Sequence, residues 1–116
     1  MRKIETIEGF TVFFEAEKEE VNKRSHFIKE CEWSEKDYKG LKGTNWFSAH
    51  VQIRKAGLVL SDQYLGCCCY NSVKEFYTTY KNDYFGDMVK EGIEEAKQAL
   101  PVLISQTKAT LNALAA

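Results

Sequence analysis

Three adjacent cysteines, Cys67, Cys68 and Cys69, are the residues of this sequence best suited to chemistry, because a thiolate can act as a nucleophile or bind a metal. A metal site needs ligands that converge on one point. Successive residues of a strand point to opposite faces, so at most Cys67 and Cys69 share a side. The spacing therefore favours small structural side chains, and a thiol or metal protein that uses Cys67–Cys69 stays the second alternative.

The two histidines, His26 and His50, are the available partners for a nucleophilic cysteine. His50 lies on a predicted strand, from which it could approach Cys68 across a hairpin. The sequence offers no third residue to orient such a pair and no loop to stabilise an oxyanion. We therefore predict that the protein is not an enzyme and that it uses no metal and no cofactor.

The cysteine pattern and the N-terminus also predict the compartment. Cys31 and the three adjacent cysteines do not have the spacing of a disulfide framework, and residues 1–10 contain no apolar leader segment. No apolar run is long enough to span a bilayer. We expect reduced thiols in the cytoplasm, with no membrane partner.

Alternation of apolar and polar residues predicts four antiparallel strands in two hairpins. Residues 1–20 form the first hairpin, with a two-residue turn at Glu8-Gly9. Residues 46–70 form the second hairpin, and Gly66 marks a bulge in its returning strand. The 116 residues predict a single domain over 1–116.

Helical patterns occupy the remaining segments. Residues 21–45 form a helical crossover, with a short helix over Ser25–Cys31 that is capped by Ser25 and turns Cys31 inward, and a second helix that begins at Ser34. Residues 72–116 are helical, with a cap at Ser72 and a restart at Asn82-Asp83, and Pro101 predicts either a kink or the start of a separate helix. The fold class is thus α+β, a four-stranded antiparallel sheet from two hairpins with helices on one face and a C-terminal helical extension.

Charge is distributed unevenly along the chain, although the formal net charge is only −1. Residues 5–20 hold six carboxylates against one lysine, and residues 83–95 hold five carboxylates against one lysine. Residues 36–55 are basic instead. Such charge is typical either of a solvated surface or of acidic faces that bind a basic partner.

The acidic segments and aromatic residues predict a partner-binding surface. The residues proposed for it are Glu15, Glu17, Glu19, Glu20, Trp33, Tyr77, Asp87, Glu91, Glu94 and Glu95. Aromatic side chains are frequent anchors of protein interfaces, and Trp33 or Tyr77 would serve here. The alternative function is a small dimeric nucleic-acid-binding regulator, whose phosphate contacts would come from Lys36, Lys39, Lys42, Arg54 and Lys55.

The C-terminal segment carries apolar residues at alternating spacings of three and four. They are Leu100, Ile104, Leu111 and Leu114, with Thr107 between them. This spacing is typical of a coiled-coil seam, so it predicts a homodimer through the C-terminal helix. The same seam could instead pack on its own domain.

Three stretches resemble small accessory proteins of bacteriophages and mobile elements, some of which are anti-CRISPR inhibitors. They are Trp46-Phe47, the run Tyr64-Leu65-Gly66-Cys67-Cys68-Cys69-Tyr70, and the run Asp83-Tyr84-Phe85-Gly86-Asp87-Met88. The resemblance covers residues 45–100 and implies no common fold. It implies a stoichiometric, non-enzymatic inhibitor that acts in the cytoplasm of a bacterial host, where it binds a CRISPR or other defence complex and blocks its nucleic-acid site. Direct nucleic-acid binding is not expected.

Overall fold

The computed structural model describes residues 1–41, 43, 45–78 and 84–116 and shows an α+β fold. The strands are β1 Arg2–Ile7, β2 Phe10–Lys18, β3 Asn45–Lys55 and β4 Leu58–Tyr70. The helices are α1 Lys23–Ser25, which continues as a π-helical turn at His26–Glu30, α2 Glu35–Lys39, α3 Val73–Thr78 and α4 Tyr84–Ala115. The predicted fold class is confirmed.

The sheet is an antiparallel meander with the strand order β1-β2-β3-β4. Both hairpins have two-residue turns in which both residues have positive φ: 51° and 81° at Glu8 and Gly9, 51° and 76° at Ala56 and Gly57. Turns of this kind match the twist of the flanking strands and favour glycine at the second position. They fix the register of both hairpins.

One face of the sheet, here called the inner face, packs against α3 and α4 and forms the core. Alternate residues of β2 and β3, such as Val12, Val51 and Ile53, are fully buried there. A Cβ atom on Gly92 of α4 would lie 2.8 Å from Cγ1 of Ile53, so the helix lies very close to the sheet. The opposite, outer face is not covered by α4 and carries the polar residues of the same strands.

The crossover departs from the prediction in its first helix. The cap is Asn22, whose side chain accepts a hydrogen bond from the Ser25 backbone, and Cys31 is exposed. Asn22 acts as the cap because its side-chain oxygen is within hydrogen-bonding distance of the backbone N–H three residues ahead. The predicted cap of the second helix is confirmed, since the Ser34 hydroxyl accepts from the Asp37 backbone N–H.

Helix α4 runs through Pro101 as one helix, so no separate helix starts there. Proline removes one backbone hydrogen bond, but the turns on either side keep theirs. The first half of α4 packs on the sheet, whereas the residues after Leu103 are exposed and extend away from it. The protein is therefore elongated, with principal dimensions of 69 × 25 × 19 Å.

The start of α3 also agrees with the sequence, since the Ser72 hydroxyl accepts from the Glu75 backbone N–H. The predicted helix restart at Asn82-Asp83 lies outside the described residues. Among the helices that are described, none combines the length and the apolar character needed to cross a membrane.

Candidate functional site

A histidine with carboxylates on both sides occupies the centre of the outer sheet face. His50 of β3 lies directly opposite Glu15 of β2 and Tyr64 of β4 in the strand register. Glu17 is two residues after Glu15 on β2, and Asp62 is two residues before Tyr64 on β4. Their side chains therefore point to the same face as those of Glu15 and Tyr64. We call Glu15, Glu17, His50, Asp62 and Tyr64 the His50 cluster.

Both ring nitrogens of His50 face a carboxylate. Nδ1 lies 2.7 Å from a Glu17 oxygen, and Nε2 lies 2.6 Å from an Asp62 oxygen. A neutral imidazole has one N–H and can donate to only one of them, whereas an imidazolium donates to both. The second contact is therefore satisfied only if a further proton or a bound cation lies within the cluster.

The neighbours of His50 fix its position on an otherwise open face. The Tyr64 ring stacks on the imidazole with 4.2 Å between centroids, which leaves His50 only 8% exposed. Partial burial alone would raise the pKa of Asp62, but hydrogen bonds from Gln52 and His50 lower it below its ordinary value. Asp62 is consequently a carboxylate at neutral pH.

The cysteines do not form a reactive group with His50. Cys68 points into the core, on the opposite side of the sheet from His50, so the pair considered from the sequence does not form. Burial raises the pKa of the Cys68 thiol to about 11, and burial with the charge of Glu19 raises the pKa of Cys67. Both thiols stay protonated at neutral pH, which disfavours nucleophilic or metal chemistry.

The bulge at the cysteines is held by Glu19. Cys67 has φ of +57°, and its backbone N–H donates to a Glu19 carboxylate oxygen at 2.9 Å. A second amide, that of Val21, donates to the other oxygen at 3.1 Å. These two bonds lower the pKa of Glu19. Glu19, predicted as a partner contact, is thus used inside the fold, while Glu20 is exposed.

The acidic residues of α4 form a second surface on the other side of the molecule. Asp87, Glu91, Glu94 and Glu95 are exposed, and their spacing of four, three and one places them on one side of the helix. Because α4 covers the inner face of the sheet, this surface points away from the outer face. The two acidic segments predicted from the sequence therefore do not form one patch.

A cleft of about 300 Å³ lies between α4 and the first hairpin. Its floor is apolar, with Ile7, Val89 and Ile93. Its charged residues are Glu5, Glu8, Lys90 and Glu94. We call this the acidic cleft.

Glu5 lies on the apolar side of the sheet, at the edge of the acidic cleft. It is opposite Val12 in the strand register and shares this face with Ile7, two residues along β1, whereas the register shift comes before it, between Lys3 and Glu5. Its Oε1 atom is buried and has no hydrogen-bond partner among the residues that the structure describes. A buried oxygen without a donor is unfavourable, so the cleft is suited to a cationic group from another molecule.

The two predicted aromatic anchors are less accessible than expected. Tyr77 is only 9% exposed, contacts Phe14 and Phe85 and receives a hydrogen bond from Arg2, so its prediction as a surface anchor is corrected. It is buried because α3 packs its ring between the sheet and α4. Trp33 is partly exposed and packs on Phe27 within a second aromatic group around the crossover.

The predicted basic region does not form a single surface. Lys36 and Lys39 belong to α2, near the first residue of β3, whereas Arg54 and Lys55 end that strand. An eleven-residue strand separates the two pairs by roughly 33 Å. Arg54 also stacks on Phe13 at 4.0 Å and Lys55 lies over Phe10, while Lys42 is outside the described residues.

The residues of the predicted dimer seam have two different environments. Leu100 packs against the core, whereas Ile104, Leu111 and Leu114 are 48%, 59% and 79% exposed. The seam beyond Leu100 thus does not fold back on its own domain. We call residues 104–115 the C-terminal arm.

Sequence reasoning missed Glu5, Asp62 and Tyr64. The cross-strand neighbours of His50 do not follow from local patterns. The available signals were the two hairpin turns: counting back from Glu8-Gly9 places Glu5 on the face of Ile7, and counting along both strands from Ala56-Gly57 places Tyr64 near His50. Comparison with known proteins gives no guidance, since no family model, curated protein or solved structure matches the chain.

Proposed function

We propose that the protein is a non-enzymatic inhibitor that binds a basic surface of a host defence complex, of the CRISPR or a related type, and blocks its nucleic-acid site. The acidic cleft and the exposed acidic side of α4 form the binding surface. The observation that carries this proposal is the buried Glu5 oxygen without a partner, in a cleft whose floor is apolar.

A lysine or arginine side chain of the partner fits the chemistry of this cleft. Its aliphatic part would lie against Ile7, Val89 and Ile93, and its charged group would reach Glu5. A charge-assisted hydrogen bond to a buried carboxylate is worth about 1.5–3 kcal/mol. Basic side chains of this kind line the grooves that bind nucleic-acid backbones.

The remaining charge of the surface lies on a rigid helix. Asp87 and Glu91 have no ion-pair partner within 4 Å among the described residues, whereas Glu95 accepts a hydrogen bond from Gln63 at 2.9 Å. Lys97 pairs with Glu8 at 2.8 Å and with Glu94 at 3.6 Å. Exposed carboxylates on one side of a helix attract a basic partner and accelerate its association. The acidic segment on β2 is less suited, because Glu17 and Glu19 are engaged within the fold.

The C-terminal arm favours self-association as part of the same function. The arm is the end of the 32-residue helix α4, and every one of its residues is exposed, so its apolar side chains face solvent. Pairing two arms would cover Ile104, Leu111 and Leu114, as predicted from their spacing. Light scattering of the wild type and of the double variant Leu111→Glu/Leu114→Glu tests this: the wild type should be a dimer and the variant a monomer.

The inhibitor proposal is tested by affinity capture from a bacterial lysate with a salt gradient for elution. The captured complex is then purified, and its nucleic-acid binding is titrated with this protein. We expect stoichiometric loss of nucleic-acid binding, together with release at moderate salt. The variants Glu5→Gln and Glu91→Lys/Glu95→Lys should each weaken inhibition by at least about tenfold.

The matched control is Glu30→Lys, a charge reversal at an exposed residue of the crossover. It should inhibit like the wild type. A captured complex that still binds nucleic acid while this protein is bound would contradict the proposal. So would inhibition that survives both the Glu5 and the α4 variants.

A further inference from the structure

We propose that the His50 cluster binds a divalent transition-metal ion of the zinc class, with Nδ1 of His50 and the carboxylates of Glu15 and Glu17 as its ligands. Three donor atoms from these residues lie within 4.8 Å of one another. The site is on the outer face of the sheet, away from the acidic cleft. The inference is therefore independent of the proposed function.

The backbone positions these ligands. Glu15 and His50 are directly opposite each other on adjacent strands, and Glu17 is two residues further along β2, on the same face. Donors of a tetrahedral zinc site are roughly 3.5 Å apart, because each bond is about 2.1 Å long. Glu15 is exposed, and its carboxylate, within 4.8 Å of the other two donors, would have to move closer by side-chain rotation to bind the same ion.

Asp62 lies where a second carboxylate usually orients a metal-binding histidine, at the ring nitrogen that does not bind the metal. Its carboxylate lies 2.6 Å from Nε2 of His50 and also accepts a hydrogen bond from Gln52 at 2.9 Å. A proton held on Nε2 leaves the lone pair of Nδ1 directed at Glu17. In metal sites, a second carboxylate of this kind fixes the ring and increases its basicity.

A metal ion balances the charge of this group better than a proton does. The 2.7 Å between Nδ1 and the Glu17 oxygen is a hydrogen-bond distance, so the Glu17 carboxylate would move away by roughly 0.7 Å for both atoms to bind one ion. An imidazolium supplies one positive charge for three nearby carboxylates, whereas a divalent ion supplies two. Tyr64 covers one face of the ring.

The ligand set selects the class of metal. An imidazole nitrogen with carboxylate oxygens suits zinc, manganese or iron, whereas magnesium and calcium prefer oxygen ligands alone. Cys31 and His26 could also bind zinc, since the Cys31 sulfur lies 3.6 Å from Nε2 of His26. The test is therefore made in the background of Cys31→Ser.

The experiment is isothermal titration calorimetry of the Cys31→Ser protein with Zn²⁺, and separately with Mg²⁺. We expect one zinc ion per chain and no comparable binding of magnesium. His50→Gln should abolish zinc binding, Glu15→Gln should weaken it at least about tenfold, and Asp62→Asn should weaken it about 10–100-fold. Glu20→Gln, at an exposed carboxylate beyond the end of β2, should bind like the parent protein.

Cobalt provides a second readout that does not depend on the stability of the His50 variant. Co²⁺ bound at this site should show no thiolate charge-transfer absorption, because all ligands are nitrogen and oxygen. Zinc binding that is unchanged in Glu15→Gln and His50→Gln would overturn the proposal. Absence of zinc binding by the parent would equally overturn it.

Discussion

The two faces of strand β3 have opposite roles in this protein. On the inner face, Val51 and Ile53 are fully buried under α4. On the outer face, His50 and Gln52 form hydrogen bonds with carboxylates of the neighbouring strands. Residues adjacent in the sequence of β3 thus have different environments. The inner face of the sheet maintains the fold, whereas the outer face carries the polar groups that could bind ligands.

The largest effect that tests this division is expected from Ile53→Ala. Removal of a fully buried side chain leaves a cavity beneath α4 and should lower the free energy of unfolding by about 2–5 kcal/mol. Gln52→Ala, one residue away on the outer face, should cost less than about 1 kcal/mol. Urea unfolding of both variants measures the contrast, and equal losses would show that the outer face is also a structural core.

Gly92→Val examines the close contact between helix and sheet. The added side chain would meet Cγ1 of Ile53, where even a Cβ atom is only 2.8 Å away, and overpacking should cost about 2–3 kcal/mol. The control is Gly40→Val, since a Cβ atom there would have its nearest contact at 3.5 Å. Thermal unfolding should show a change within about 0.5 kcal/mol for the control. A tolerated Gly92→Val would mean that α4 can move away from the inner face.

Glu19→Ala removes the carboxylate that holds the bulge on the outer side. Loss of its bonds to the amides of Cys67 and Val21 should cost about 1–2 kcal/mol at pH 7. The control is Glu20→Ala, at an exposed residue, which should change stability by less than about 0.5 kcal/mol. Urea unfolding at pH 7 compares the two variants with the wild type.

The Glu19 effect should depend on pH in a defined direction. Because the two backbone hydrogen bonds lower its pKa in the folded state, the carboxylate stabilises the fold fully above its unfolded pKa of about 4.3. That stabilisation is lost as the pH falls through the lower, folded pKa. The difference between wild type and Glu19→Ala should therefore shrink between pH 5 and about pH 2, and a difference that grows on acidification would contradict this assignment.

The last prediction concerns the reactivity of the thiols, and the substitution that tests it should leave stability unchanged. Cys31 is exposed, whereas Cys68 is buried in the core with its pKa raised to about 11. Labelling with a thiol-reactive dye should modify Cys31 at least about tenfold faster than Cys68. Cys31→Ser should remove the fastest phase, and persistence of that phase would place another thiol at the surface.

Local patterns in the sequence were enough for much of the fold. Alternation along residues 10–17 and 46–53, the turn residues, and the serines that cap α2 and α3 predict elements that the structure contains. The helical interpretation of Ser25–Cys31 was less accurate, because Asn22 competes as the cap and the chain forms a π-helical turn. Propensities of neighbouring caps are too similar for the sequence to decide between them.

The candidate sites were less predictable than the elements that carry them. Acidic segments were visible, but their separation onto opposite sides follows from how α4 packs on the sheet. Tyr77 is of a residue type that is frequent in interface anchors, but it lies in the core. Exposure of an aromatic residue depends on which element covers it, and that information is not local.

By itself, the sequence determined the α+β class, the hairpins and the helical character of the C-terminus, because turn chemistry and hydrophobic period act over a few residues. The tertiary structure decided that Glu5 borders a cleft, since α4 packs beside the first hairpin at that point. It also decided that Glu15, His50 and Asp62 meet, because strand register brings together residues up to 47 positions apart. Binding chemistry depends on such long-range positions, whereas the elements of the fold do not.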